Sequence, residues 1–173
     1  LSVKWATFNV GASNPEDYGD YFAWGETEPK EEYSWETYKW GTSSSTLTKY
    51  NTQDCKTILE LEDDAAHVNW GGKWRMPSRE ETDELLKKCE WQWTKYNDIN
   101  GYKIIGPNGN SIFLPAASYI GSGPTYPKGG YGLYWSHDLN TDNRNFACAL
   151  LFTSTTHVIA LNSTRYYGRP IRP

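Results

Sequence analysis

The sequence predicts an α+β domain of two short helices and a run of antiparallel strands, joined by long ordered loops. Three observations carry this. Helical punctuation is complete at one place only: Pro77 precedes Ser78 and Glu81, the S-x-x-E spacing of a capping box, and Thr82, Leu85, Leu86 and Cys89 then share one face. After Cys89 the chain reads as short strands separated by turn residues, with Asn108-Gly109 the strongest hairpin signal. The element order is strand, loops, two helices, strands, which lacks the alternation of a βαβ fold.

Taken in order, Ser2–Phe8 alternates as a strand, 9–18 is a polar turn region around Gly11 and Pro15, and Tyr21–Trp24 is a short strand. From Gly25 to Tyr50 the chain has no clean period and reads as a long loop held by aromatics, or one partly mobile around 41–45. Glu62–Asn69 is a short helix, with Asp63 and Asp64 as a charge pair favoured by its N-terminal dipole. The capped helix spans Arg79–Cys89. Strands are expected at Gly101–Ile105 and Ser111–Leu114, a Gly/Pro loop at 121–132, and further strands at Leu133–Trp135, Phe146–Phe152, Val158–Leu161 and Ile171.

No linker interrupts residues 1–173, which read as a single domain long enough to bury a core. Apolar content is only 38%, but 27 aromatic residues compensate, because each large ring buries much area. A net charge of −4 excludes a nucleic-acid partner held by phosphate contacts. No apolar run approaches the roughly 20 residues of a membrane span, and no signal peptide is visible, so surface display is expected to depend on a region outside the chain. Cys55, Cys89 and Cys148 lack zinc spacing; a Cys55–Cys89 bridge and buried free thiols are both open, with free thiols favoured.

The tail has an unusual composition. Residues 137–173 contain no Lys, Glu, Gln, Met or Trp, whereas the first 136 contain 35 of them, so about ten would be expected. None of the five types has a codon ending in a pyrimidine. Randomising the adenines of Asn codons produces this pattern and points to a diversified binding surface. The competing explanation is ordinary strand composition, which is poor in Lys and Glu.

The segment WGGKWRMPSREETDE (70–84) resembles the Arg-apolar-Pro turn and capped helix of the formylglycine-generating-enzyme branch of the C-type lectin fold, and YGRPIRP (167–173) resembles its closing strand. LSVKWATFNVG, YGDYFAWGE, LEDDAAHVNWGGKWRMP, NGNSIFLPAA and YYGRPIRP together resemble the Fibrobacter-type major paralogous domain of gut bacteria. The resemblance implies a C-type lectin-like fold with a twisted antiparallel sheet. It also implies secretion, display on a cell surface or phage tail, and adhesion. Some proteins of this fold are variable proteins of diversity-generating retroelements, whose C-terminal segment, here 133–173, binds the ligand.

On that implication Leu139, Ala147, Leu150, Phe152, Ser154, Val158, Arg165, Gly168 and Arg172 are scaffold. The binding surface is His137, Asp138, Asn140, Asp142, Asn143, Arg144, Asn145, Thr155, Thr156, His157, Asn162, Thr164, Tyr166, Tyr167 and Arg169. These are the small polar and aromatic types of adaptable paratopes, with Tyr166, Tyr167 and His157 as anchors. The expected partner is a macromolecule, protein or glycan, bound without cofactor or metal.

Other chemistry is thinly supported. An oxidase of this fold branch needs a cysteine partner that Cys148 lacks, and His67, His137 and His157 have no metal spacing. Calcium-dependent sugar binding lacks its EPN or QPD loop and its WND strand. Glycan stacking on Trp24, Trp35, Trp40, Trp91 or Trp93 is the alternative binding mode, with Trp91 and Trp93 on one face if that segment is extended. Glu26 and Glu28 read as solvated charge rather than a glycosidase pair, and Asn162-Ser-Thr164 matches a glycosylation sequon.

Overall fold

Local capping places the helices. The computed structural model describes residues 1–122 and 127–173. Its longer helix, α2 (Arg79–Lys88), begins at a reciprocal capping box: Ser78 Oγ accepts from the Glu81 amide at 3.0 Å, and the Glu81 carboxylate accepts from the Ser78 amide at 2.7 Å. Arg75 donates to the same carboxylate through two nitrogens, at 2.6 and 2.8 Å, which holds Glu81 below the usual carboxylate range. A depressed folded pKa contributes stability above the unfolded pKa and loses it as pH falls through the folded value. Thermal melts from pH 7 to 3 are therefore expected to show a decline below about pH 4 that is smaller in Glu81→Gln than in the parent.

The first helical segment is broken where one helix was expected. A 3₁₀ turn at Leu61–Asp63 precedes α1 (Ala65–Trp70), and Asp64 between them is extended. The break is caused by capping: the Asp64 carboxylate accepts the amides of Ala66, His67 and, across the loop, Met76. The expected Asp63–Asp64 charge pair is thus divided, with Asp63 turned to Lys49 and Tyr50.

The strands form two three-stranded antiparallel sheets. In the first, β1 (Glu90–Tyr96), β2 (Ile99–Ile105) and β3 (Ser111–Pro115) lie in that order; in the second, β4 (Gly132–Leu139), β5 (Phe146–Phe152) and β6 (His157–Thr164) do the same. The fold is α+β. Strand β1 was not foreseen. It pairs Tyr96 with Ile99 across a two-residue turn at Asn97-Asp98, both at positive φ (46° and 64°), the turn that matches strand twist. Asn108-Gly109 sits instead in a five-residue connection, with Ile105 opposite Ser111. β4 and β6 extend past the expected strands, so His137, Asp138, His157, Asn162 and Thr164 belong to strands.

The expected strands at Ser2–Phe8 and Ile171 are absent. Between the main chains of the two segments, the described residues make two hydrogen bonds, Ala6 N to Pro173 O (2.7 Å) and Val10 N to Ile171 O (3.0 Å). Pro170 and Pro173 have no amide to donate, so a continuous ladder cannot form. Tyr21–Trp24 is likewise reduced to one bridge, Phe22 opposite Arg169. Residues 25–50 form a loop pinned by buried Tyr33, Tyr38 and Tyr50. The Gly/Pro loop includes 123–126, which lie outside the described residues.

One core gathers Phe22, Trp24, Tyr50, Met76, Trp135 and Ile171; a second packs α2 Leu85 with Tyr102, Ile104, Leu114, Leu150 and Phe152. Phe152 joins the sheets: Trp91, Trp93 and Tyr102 of the first and Tyr134 of the second all have rings within 5.4–6.4 Å of it. All three cysteines are free. Cys55 is exposed rather than buried, Cys89 half-buried and Cys148 buried. Among the described residues no helix is long and apolar enough to cross a membrane.

Candidate functional site

The C-terminal segment is held from beneath by three buried arginines. Arg165 is fully buried and donates to Tyr38 Oη (3.0 Å) and to the carbonyls of Arg144, Lys49 and Tyr50 (3.0–3.2 Å), with its guanidinium 5.0 Å from the Trp24 ring. Arg172 reaches Asn9 Oδ1 and the carbonyls of Ala6 and Phe113. Arg169 lies 4.3 Å over Trp135 and donates to Ser163 Oγ at 2.8 Å, while its Nε has no acceptor among the described residues. Burial lowers the Arg169 pKa to about 9 and that of Arg172 to about 10, so both remain cations at neutral pH. Among the described residues no carboxylate pairs with any of the three; carbonyls and ring faces take its place.

The expected surface residues fall into separate places. His137 and Asp138, at the end of β4, are half-buried; Asp138 accepts the Arg79 amide at the start of α2 (2.6 Å), and burial raises its pKa. In the β4–β5 connection, Asn140 accepts the amides of Asp142 and Asn143 and donates to Leu161 O and Asn162 Oδ1. Asn143 accepts from the Asn145 amide, and Arg144 donates to Lys56 O. Just past β6, the Tyr166 and Tyr167 rings stand perpendicular, 4.8 Å apart. Tyr167 stacks on Tyr119 at 5.1 Å, and Tyr166 packs edge-on against Trp35 at 5.0 Å. A Cβ at Gly121 would collide with the Tyr167 ring, so that glycine makes room for the aromatic shelf. Arg165, whose amide donates to Asn145 O, links shelf and connection into one face with Asn162 and Thr164.

Thr155, Thr156 and His157 lie at the other end of β6, roughly 20 Å away by strand rise. His157 stacks on Trp91 (4.7 Å, 8°), its Nδ1 is buried without a partner, and burial lowers its pKa. It is a contact between the sheets, in a different place from the tyrosines. Arg169, expected on the surface, is buried beneath it. Of the nine expected scaffold positions, Ser154 and Val158 differ by being exposed; the other seven are buried. Trp35, expected only as a glycan-stacking candidate, and Tyr119, not expected at any site, complete the shelf; nothing in their spacing ties them to residues so distant in sequence.

The competing sites fare differently. Trp91 and Trp93 do share a face of β1, but that face packs on Tyr102 and Phe152. Trp24 is fully buried, and Trp40 donates to Gly25 O. Glu26 is buried, pairing with Lys30 and accepting the Lys39 amide, whereas Glu28 is exposed. Glu60, Glu62 and Asp63 converge closely enough for a cation, and that place is taken by Lys49 Nζ, at 2.6, 3.1 and 2.6 Å. Burial pushes the Cys148 thiol up to about 11, which keeps it protonated.

Scans against protein-family models, curated proteins and solved structures find no match to the chain.

Proposed function

We propose that this chain is a ligand-binding module, a receptor or adhesin domain of the C-type lectin-like type, whose segment 133–173 carries the recognition surface and is varied by a retroelement. One observation carries the reading: in the tail, burial follows the division between presumed scaffold and presumed variable positions. Seven of nine scaffold positions are buried, and of the fifteen candidate binding positions only Arg169 is. Side chains that face outward from a framework held by buried arginines can change without disturbing the core. The face centred on Tyr166, Tyr167, Asn140, Asp142, Asn143, Asn162 and Thr164 is then the paratope. Its ligand is a macromolecule, protein or glycan, taken without cofactor, metal or catalysis, on a bacterial surface or phage tail.

The experiment is population sequencing of the gene and its neighbourhood. Substitutions confined to adenines of tail codons, beside a near-copy template, are expected; an invariant tail without a template sinks the diversification. Against a ligand found on protein and glycan arrays, Tyr166→Ala/Tyr167→Ala is expected to weaken binding by about 2 kcal/mol or more, while the chain stays folded by circular dichroism.

A second reading has its own support. Asn140, Arg144 and Asp138 satisfy main-chain groups, so free variation there would cost stability. This favours a non-diversified surface or adhesion domain with a fixed protein or glycan ligand. In it the tail would be invariant while alanine at the tyrosines still weakened binding.

A further inference from the structure

We propose a second binding site, for an anionic oligosaccharide, in the trough along the N-terminal segment. Two cavities, of about 730 and 350 Å³, are both lined by Val3, Lys4 and Trp5 and so lie along the same stretch of chain. The larger part has an apolar floor of Leu85, Cys89, Ile104 and Ile112, with Asn108 and Asn110 in its wall. The smaller part is walled by Trp74, Pro77 and Pro173. Together they have the size and the mainly apolar lining, with a few polar groups, of a ligand site.

Two features specify the ligand. First, Trp74 is the tryptophan most open to solvent, 38% exposed, and it is braced: Trp70 meets it edge-on at 5.4 Å, and Phe8 packs behind Trp70 at the same distance. A braced, exposed indole loses little freedom when the C–H face of a sugar ring packs on it. Trp5, which lines both cavities, has a buried indole N–H with no acceptor among the described residues. Second, the cations of the groove divide into used and unused. Arg75 is neutralised by Glu81, whereas among the described residues the side chains of Lys4 and Lys73 make no ion pair or hydrogen bond. Two free ammonium groups beside two indoles, in a protein of net charge −4, are a local complement to carboxylate or sulfate groups on a saccharide chain. The groove takes only Pro173 from the C-terminal segment, so this site stands or falls independently of the tail surface.

The test is calorimetric titration of the intact chain with tetragalacturonate, its methyl ester, a heparin-derived tetrasaccharide and hexaglutamate. Binding to tetragalacturonate or the sulfated tetrasaccharide is expected, and which of them binds identifies the charged group. Affinity should fall roughly tenfold in Trp74→Ala, in Lys4→Ser/Lys73→Ser and, for the carboxylated ligand, on esterification. It should also weaken with added salt and be unchanged in Tyr166→Ala/Tyr167→Ala. Binding to neither saccharide overturns the proposal, as does equal binding of hexaglutamate or indifference to Trp74→Ala. The exposed lysine pair keeps the test decisive if the Trp74 variant fails to fold.

Discussion

Arg165→Ala is expected to lower the folding free energy by about 3–5 kcal/mol, measured by urea denaturation. The substitution removes a fully buried guanidinium and leaves Tyr38 Oη and three carbonyls without their donor, two of those carbonyls in the 25–50 loop. Each orphaned buried acceptor costs about 1–3 kcal/mol before relaxation or entry of water. The cavity beside Trp24 adds to this. Arg165→Lys is expected to recover only part of the loss, since an ammonium cannot span acceptors placed for a planar fork. A loss below about 1 kcal/mol would show that the tail is held by the strands rather than by its arginines.

Phe152→Ala is expected to cost about 3–5 kcal/mol as well, for a different reason. The ring is fully buried where the sheets meet, among Trp91, Trp93, Tyr102 and Tyr134, and it occupies the space beside Gly132. The void would lie between the sheets, so loosening should appear on both sides. Amide exchange in β2 and β4 is expected to quicken together. Quickening in β4 alone would mean that the sheets are held together elsewhere.

These two residues also show what was legible in the sequence. Phe152 could be read: it closes an apolar run between turns, and β5 matches the expected strand. The capping box at Ser78 and Glu81 was equally plain, because both partners lie within one helical turn. What failed was partner choice. The alternation of Ser2–Phe8 describes its faces but not its neighbour, and the neighbour contains prolines. Strand β1 was hidden by its charged, Trp-rich composition and by a turn made of Asn97-Asp98 with no glycine.

Within the candidate site, the buried scaffold positions of the tail were largely legible, through the resemblance rather than through strand periodicity. The three-dimensional grouping was not. His157 and Tyr166 look close in sequence yet stand at opposite ends of β6, while Trp35 and Tyr119 reach the shelf from far upstream. Arg169 was misplaced because residue type argues for the surface, and only the rings of Trp135, Tyr119 and Tyr167 around it account for its burial. Trp74 went unnoticed beside tryptophans that proved to be packing.

The reach of Arg172 back to Ala6, Asn9 and Phe113 bears on synthesis. Residues 166 positions apart in sequence meet there, so the barrier to folding includes the closure of a very long loop. A ribosome that stops before Arg172, or a frameshift upstream of it, yields a polypeptide without this clasp. Such a product is expected to remain open to proteases. Under the diversification proposed above, that dependence would act as a proofreading step at the level of protein.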